Sequence, residues 1–374
     1  MSRCLCPTIV MSFGVLIAST AIVAEAAEPA AVPPAATEAA KPTPAAAIAP
    51  TPAVASSELT LLALPGAPAD GVMLDYLTVD RGRNRVWVPA GGTGNAVVID
   101  TKTKDVRTVE KFATKEVERR GQKRMVGLSS ATVGDGVVYV GNRADSSICA
   151  VDAKTLERRD CVTLTGSPDG LAYIARTKEV WVTTPHDQAI VVLDVSKPGT
   201  PKVSGTFKLE GDPEGYAVDD VHGLFYTNLE DKDRTLKIDV ATRKVTATWM
   251  PACGEDGPKG LAIEPKGQLL MVACPEHVEV LDAGKDGAIL SKLDTGEGVD
   301  NIDYLPAKRA LYVAAGRAAK LTVARIDEKG VLQSAAMVTT ATGARNAVVS
   351  EDGTAYVADG REGKILVVRP AHGI

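Results

Sequence analysis

Residues 179–194 read Glu-Val-Trp-Val-Thr-Thr-Pro-His-Asp-Gln-Ala-Ile-Val-Val-Leu-Asp, and this arrangement recurs along the chain. A short strand rich in β-branched and aromatic residues is followed by a polar loop and a second apolar strand that usually ends in Asp. The central residues of the seven first strands are 87, 139, 181, 225, 271, 312 and 356, which are 52, 42, 44, 46, 41 and 44 positions apart. Repeats of about 40–45 residues built only from strands are typical of a β-propeller. The sequence therefore predicts an all-β, seven-bladed propeller.

Each repeat has the pattern of a meander of four antiparallel strands. The last repeat supplies only three strands before the chain ends, and residues 59–64, Leu-Thr-Leu-Leu-Ala-Leu, have no repeat of their own. We predict that this N-terminal strand is the outer strand of the last blade, because closure of that kind removes free sheet edges.

The third strand of most repeats ends in an aspartate. These residues are Asp100, Asp152, Asp194, Asp239, Asp282 and Asp327. A carboxylate at this position accepts backbone N–H groups and fixes the turn that follows. A metal-binding role is the alternative, but the six residues belong to equivalent outer turns that lie far apart.

The N-terminal region has the composition of an export signal and a spacer. Residues 1–26 are predicted to be a signal peptide, with an apolar run from about Ile9 to Val23 and a small-x-small cleavage site at 24–26. Residues 27–57 are predicted to be an Ala/Pro-rich disordered spacer, and residues 58–374 the propeller. An uncleaved membrane anchor is the alternative, but the apolar run is short for a span. We expect no transmembrane segment and a periplasmic or secreted protein.

Four cysteines follow the signal region: Cys149, Cys161, Cys253 and Cys274. An even number in an exported chain favours two disulfides. Cys149 and Cys161 are equidistant from a hairpin turn, and Cys253 and Cys274 are expected on the same face of repeat five, so we predict bridges 149–161 and 253–274. A metal site of sulfur and nitrogen ligands at Cys253, Cys274 and His277 is the alternative.

Ligands of propellers usually bind at the mouth of the central channel. Aligning the repeats on their second strands gives one position per blade at the start of the inner strand, held by Asp75, Gly127, Asp169, Glu214, Lys259, Asp300 and Arg345. Loops on the same face add Arg143, His186, Arg317 and Arg361. We predict that the charged members of these two sets bind a small ligand or ion. The alternative is a solvated rim whose members pair with each other.

A basic excursion separates the first two repeats. Its cations are Lys111, Lys115, Arg119, Arg120, Lys123 and Arg124, with Arg107 nearby, and they face only Glu116 and Glu118. Such a flap is predicted to contact an anionic partner on the channel face. The alternative is a solvated, partly helical excursion. The net charge of −5 gives no general electrostatic case for nucleic acid, which we do not expect as a partner.

Several segments resemble the YVTN-repeat, YncE-like family of seven-bladed propellers. Phe225-Tyr226-Thr227-Asn228 nearly spells the repeat that names the family, and Val86-Trp87-Val88-Pro89 followed by 95–100 is similar to its strand-loop-strand core. The lead-in Pro-Asp-Gly-Leu-Ala at 168–172 also fits. The resemblance covers 58–374 and implies the fold. It implies no activity, because the group shares no catalytic motif and the scaffold serves many functions.

The sequence favours a non-catalytic module that binds a ligand or protein at the channel mouth. We expect no catalytic residue, no cofactor and no resident metal, and a monomer. The alternative is a metal-dependent lactonase or esterase of the gluconolactonase kind, which needs a Glu, two Asn and an Asp around one divalent ion. The candidates by residue type are Glu214, Asn142, Asn228 and Asp300.

Overall fold

The computed structural model describes residues 57–119 and 121–371. The predicted signal peptide, the spacer up to residue 56, Arg120 and the last three residues lie outside the described residues, as does the side chain of Arg119.

The described chain forms seven antiparallel four-stranded sheets, which are the blades of the predicted seven-bladed β-propeller. The N-terminal strand β1 covers Glu58–Ala63. Blade 1 consists of β2 (Thr78–Asp80), β3 (Arg85–Ala90), β4 (Asn95–Asp100) and β5 (Val106–Val109). A two-stranded hairpin follows, β6 (Lys115–Arg119) and β7 (Gln122–Val126). Blade 2 consists of β8 (Leu128–Gly134), β9 (Val137–Asn142), β10 (Ser147–Asp152) and β11 (Arg158–Thr163).

The remaining blades repeat this order from the inner to the outer strand. Blade 3 has β12 (Leu171–Ile174), β13 (Glu179–Thr184), β14 (Ala189–Asp194) and β15 (Lys202–Lys208), and blade 4 has β16 (Pro213–Asp219), β17 (Leu224–Leu229), β18 (Arg234–Asp239) and β19 (Lys244–Trp249). Blade 5 has β20 (Leu261–Glu264), β21 (Leu269–Ala273), β22 (His277–Asp282) and β23 (Ala288–Asp294). Blade 6 has β24 (Val299–Leu305), β25 (Ala310–Ala315), β26 (Lys320–Ile326) and β27 (Leu332–Thr339). Blade 7 has β28 (Ala344–Val349), β29 (Ala355–Asp359) and β30 (Lys364–Arg369).

The helices of the described residues are single 3-10 turns. They cover Arg81–Arg83, Gly91–Thr93, Pro185–Asp187, Glu230–Lys232 and Pro306–Lys308. None of these turns is long or apolar enough to cross a membrane.

The N-terminal strand closes the ring, as predicted. β1 is the outer strand of blade 7 and pairs antiparallel with β30, with Glu58 opposite Arg369 and Ala63 opposite Lys364. This pairing covers the outer edge of β30, and both ends of the propeller therefore lie in one sheet.

The apolar core lies between neighbouring blades. The central residue of every second strand is at most 1 % exposed, and these residues are Trp87, Tyr139, Trp181, Phe225, Met271, Tyr312 and Tyr356. Trp87 of blade 1, for example, packs in one cluster with Val138 and Val140 of blade 2. The repeat is therefore a repeat of blade-to-blade packing, which explains why large side chains recur at this position.

The aspartates at the ends of the third strands fix the outer turns. The carboxylate of Asp100 accepts the backbone N–H groups of Lys102 and Thr103 at 2.9 and 3.0 Å. The same kind of bond forms at the other five positions. The backbone N–H of Thr155 is the main cause that lowers the pKa of Asp152 to about 2. These aspartates have a structural role in the turns.

Both predicted disulfides are present. Cys149 and Cys161 stand directly opposite each other in the pairing of β10 with β11, with their Cα atoms 4.0 Å apart. Cys253 and Cys274 are bridged at a Cα separation of 5.0 Å. Two disulfides are compatible with an oxidising compartment.

Candidate functional site

Charged side chains from the inner-strand starts meet at one end of the channel. Arg143, in the loop after β9, pairs with two carboxylates of this set, Asp75 and Asp169, the first at 2.9 Å. Arg345 contacts Asp300 through its Nε at 3.2 Å. The side chains of Asp75, Asp169 and Asp300 are 15, 10 and 13 % exposed, so these groups are largely withdrawn from water. We call Asp75, Asp169, Glu214, Asp300, Arg143 and Arg345 the mouth cluster.

Two of the seven aligned positions form no ion pair with this cluster. Lys259 pairs with Glu230 of the preceding blade, and its ammonium also donates to the carbonyl of Asp256 at 2.6 Å. Gly127 provides no side chain, and a Cβ atom there would lie 2.1 Å from the carbonyl oxygen of Gly91. The close approach of the Gly91 backbone therefore leaves no room for a side chain at position 127.

Glu214 reaches across the channel to blade 1. Its Oε1 accepts a hydrogen bond from the hydroxyl of Tyr76 at 2.7 Å. The ring of Tyr76 in turn stacks on that of Tyr216, with centroids 5.7 Å apart and an interplanar angle of 21°. Two tyrosine rings thus lie beside the carboxylates.

The mouth cluster contains more acidic than basic groups. Four carboxyl groups face two guanidinium groups, and both guanidinium groups already pair with aspartates. Burial, together with the charges of Asp169, Asp75 and Asp300, raises the pKa of Glu214 well above its usual value. Burial raises the pKa of Asp169 to about 6, and the charge of Asp75 adds to this, while Arg143 acts in the opposite direction. Burial and the charge of Asp75 also raise the pKa of Asp300, against the effects of Arg345 and Lys259. Fully ionised, the cluster would contain more carboxylates than guanidinium groups, and the raised pKa values of Glu214, Asp169 and Asp300 mean that protons offset part of this charge.

One oxygen of the cluster has no partner. Asp169 is 7 % exposed, and its Oδ2 atom is buried without a hydrogen bond from the described residues. A buried carboxylate oxygen without a donor costs free energy unless a proton, a water molecule or a bound cation satisfies it. The nearby hydroxyl of Tyr76 acts on the Asp169 carboxyl group, but it donates its proton to Glu214.

A cavity of about 180 Å³ continues from the cluster along the channel. Its walls come from the inner strands of blades 1 and 4 to 7, and they include Asp75, Tyr76, Tyr216, Asn301 and Asn346. This volume has room for several water molecules. It lies below the range of about 300–1,000 Å³ that is typical of pockets for drug-sized molecules. The cavity therefore suits a small ligand.

The two asparagines of the hydrolase alternative hold loops together. Asn142 Nδ2 donates to the carbonyl of Ala113 at 3.0 Å, and its Oδ1 accepts the N–H of Ala144 at 2.8 Å. Asn228 Nδ2 donates to the carbonyl of Lys259, and its Oδ1 accepts from the hydroxyl of Thr235 at 2.7 Å. Both residues are at most 1 % exposed. Their amide oxygens are therefore already engaged, which disfavours a metal site formed with Glu214 and Asp300.

Three of the predicted ligand-binding residues lie on exposed loops of the same face. They are His186, Arg317 and Arg361. His186 belongs to the turn Pro185–Asp187, whereas His277, the other histidine expected on this face, is 8 % exposed and contacts Glu279. The two histidines do not form a pair in this arrangement, and a ligand-binding role of the loop residues stays a prediction.

The basic excursion is a β-hairpin, where the sequence left open a partly helical segment. β6 and β7 pair from Lys115 opposite Val126 to Arg119 opposite Gln122. Met125 packs against the turn Gly91–Thr93 of blade 1, because a Cβ atom on Gly92 would lie 2.3 Å from the Met125 Cβ. Lys123 pairs with Glu116 at 2.7 Å, and Lys111, Lys115 and Arg124 are exposed. The hairpin thus carries exposed positive charge on the channel face, and its anionic partner stays a prediction.

Sequence reasoning missed the aromatic part of the site. Tyr76 and Tyr216 were not among the candidates, nor were Asn301 and Asn346 of the cavity wall. Tyr76 directly follows the aligned position Asp75, and Tyr216 stands two residues after Glu214. A search of the residues next to each aligned position would have found them.

The similar structures are propellers of low sequence identity. One is a chain of a "Crystal Structure of Mitotic Checkpoint Complex", with 14 % identity and a TM-score of 0.65, covering 88 % of this chain and 99 % of that chain. Another is from Kuenenia stuttgartiensis hydrazine synthase, with 14 % identity and a TM-score of 0.65, covering 83 % and 96 %. No family model and no curated protein matches the sequence. At this identity the likeness supports the fold alone.

Proposed function

We propose that this protein is an exported, non-catalytic binding module that takes a small cation at the channel mouth. The observation that carries the proposal is the unpartnered Oδ2 of Asp169 within a buried cluster of four carboxyl groups and two guanidinium groups. A cation at this position would replace the protons that the raised pKa values of Asp169, Glu214 and Asp300 otherwise retain. The fold is consistent with a binding module.

The chemistry of the walls favours a cation with an organic body. Tyr76 and Tyr216 line the cavity beside Asp75, and aromatic rings combined with carboxylates are a common environment for ammonium and guanidinium groups. A cavity of about 180 Å³ accommodates a short amine or guanidine and leaves little room for a larger molecule. A metal ion also carries positive charge, and a titration with both kinds of cation distinguishes it from an organic cation.

Export and family membership are part of the same proposal. The two disulfides agree with the signal peptide proposed for residues 1–26, since disulfides persist in oxidising compartments. The YVTN-like segment at 225–228 supports the YncE-like group as the family.

The test is a thermal-shift and calorimetric titration of the full propeller with methylguanidinium, putrescine and calcium. We expect one organic cation to raise Tm at millimolar concentration and calcium to have little effect. Binding should strengthen from pH 5 to pH 8, because protons compete with the cation for the cluster. If calcium stabilises the protein more than either organic cation does, the ligand is a metal ion. The two tyrosine rings then do not select an organic cation.

The matched variants are Asp169→Asn and Asp187→Asn. Asp187 lies on an exposed loop of the same face, outside the mouth cluster. We expect Asp169→Asn to abolish the shift and Asp187→Asn to keep it. The proposal is overturned if none of the three cations raises Tm, or if Asp169→Asn binds as well as the wild type.

A further inference from the structure

We propose that reduction of the Cys253–Cys274 disulfide converts one corner of blade 5 into a zinc site formed by Cys253, Cys274, His277 and Glu279. In the oxidised protein the two sulfur atoms are bonded to each other. A dithiol reductant would give two thiols and itself become a disulfide, and Zn²⁺ would then displace the thiol protons. The site is separate from the mouth cluster and does not depend on the proposed function.

A tight turn brings three of the ligands together. β21 ends at Ala273 and β22 begins at His277, and the N–H of Cys274 donates to the carbonyl of His277 at 2.8 Å. As a result, a sulfur, a ring nitrogen and a carboxylate oxygen of Cys274, His277 and Glu279 all lie within 4.8 Å of one another. Ligand atoms around a tetrahedral zinc ion are about 3.5 Å apart, so small side-chain shifts suffice.

An unpaired carboxylate oxygen of Glu279 is an independent observation in favour of a metal ion at this corner of blade 5. The residue is 3 % exposed, and its Oε1 lies 3.2 Å from Nε2 of His277. Its Oε2 is buried without a hydrogen bond from the described residues. A metal ion at the corner would satisfy this oxygen, whereas the disulfide offers it no donor.

Cys253 is positioned to supply the fourth ligand after reduction. Its backbone N–H donates to Oδ1 of Asp233 at 3.1 Å, and the next N–H, of Gly254, donates to Oδ2 at 3.3 Å. These bonds do not depend on the disulfide. The Cα atoms of Cys253 and Cys274 therefore stay close to their separation of 5.0 Å. The sulfur of Cys253 is not among the ligand atoms that lie within 4.8 Å of one another, so its side chain has to rotate after reduction to bring the second thiolate to the ion.

The ligand set selects zinc. Two thiolates, an imidazole and a carboxylate are ligands that Zn²⁺ accepts in tetrahedral sites. Among the described residues, Cys274, His277 and Glu279 are the only group of at least three His, Cys, Asp or Glu side chains with such spacing. The other disulfide has no comparable set, since the side chain near Cys149 is the hydroxyl of Ser147 at 3.9 Å.

The test uses cobalt(II) as a spectroscopic probe in place of zinc. The variant Cys253→Ser frees Cys274 without any reductant and keeps three ligands. We expect it to bind one cobalt ion with a thiolate-to-cobalt absorption band, and Cys253→Ser/His277→Gln to bind at least about tenfold more weakly. The matched control Cys161→Ser frees the buried Cys149 and should show no such band.

The wild type gives the second measurement. The oxidised protein should take up no cobalt at this corner, and the protein reduced by a phosphine should bind one ion that zinc displaces. If reduction unfolds the protein, zinc should restore the native circular dichroism spectrum. The proposal is overturned if the reduced wild type and Cys253→Ser show no thiolate band, or if zinc fails to restore a protein unfolded by reduction.

Discussion

The hydroxyl of Tyr76 donates to the carboxylate of Glu214 at 2.7 Å, although the two residues are 138 positions apart. Tyr76 stands next to the inner strand of blade 1 and Glu214 within that of blade 4, which lie on nearly opposite sides of a seven-bladed ring. The bond therefore crosses the channel and narrows it at the level of the mouth cluster. Glu214 has no pairing cation among the described residues, so this hydroxyl is its main stabilising partner.

Replacing Tyr76 by Phe should destabilise the protein at neutral and higher pH. The variant keeps the ring that stacks on Tyr216 and removes only the donor to Glu214. Loss of this hydrogen bond costs about 0.5–1.5 kcal/mol while Glu214 holds its proton and about 1.5–3 kcal/mol once it is ionised. Urea denaturation at pH 8 measures the change. The control is Tyr304→Phe, which removes a buried hydroxyl that has no partner in the described residues. An equal loss of stability in both variants would contradict the role given to the Tyr76 hydroxyl.

The pH dependence of stability should contain a contribution from Asp169. Its pKa in the folded protein is raised to about 6, above that of an exposed aspartate. The group therefore favours the folded state most at low pH, and this contribution is lost as the pH rises through about 6. The free energy of unfolding of the wild type, minus that of Asp169→Asn, should fall between pH 4 and pH 7 by about 1–3 kcal/mol. A difference that stays constant or rises over this range would refute the assignment.

Replacing Arg143 by Met should have a larger effect than replacing an exposed arginine of the same face. Arg143 pairs with both Asp75 and Asp169, and its removal leaves two carboxylates with little compensation. Such a loss costs about 3–5 kcal/mol at a buried site. We expect most of this effect at pH 8 and little at pH 4, where the carboxyl groups take up protons. Arg317→Met should change the stability by less than about 0.5 kcal/mol, because Arg317 is exposed. Equal effects of the two variants in urea denaturation would argue against the mouth cluster.

Deletion of residues 58–63 should expose the edge of blade 7. β30 then loses its outer partner, and a free strand edge promotes association between molecules. We expect a lower Tm and oligomers in size-exclusion chromatography. Deletion of residues 27–56 is the matched control and should leave both measurements unchanged. A monomer of unchanged Tm after loss of β1 would show that the closing strand contributes little.

The fold could be predicted from the sequence because each blade packs against its neighbour through large apolar side chains at the same position of the repeat. Trp87, Trp181 and Phe225 recur at the period of the blade, and the unmatched segment 59–64 had only one sheet edge left to cover. The mouth cluster followed from the same register, since equivalent positions of the inner strands meet at one end of the channel.

The pairing inside the site did not follow from the sequence. A repeat aligns Asp75 with Glu214, but it does not indicate that Tyr76 crosses from one side of the ring to the other. Asn142 and Asn228 had the residue type of metal ligands, yet their amides satisfy backbone groups of neighbouring loops. The hairpin at 115–126 occurs once, so no repeat could define its structure.

The pairing of β1 with β30 also determines when the protein can finish folding. Glu58 meets Arg369 only after nearly the whole propeller has been synthesised. At about 5–20 residues per second, β1 waits on the order of 15–60 s for its partner. During that time blades 1 to 6 can form in sequence, because each consists of strands that follow one another in the chain. Strand β1 stays unpaired until β30 is available. Strand β1 therefore cannot pair with β30 until synthesis is nearly complete, and before that time an emerging chain has an uncovered strand that other chains can contact.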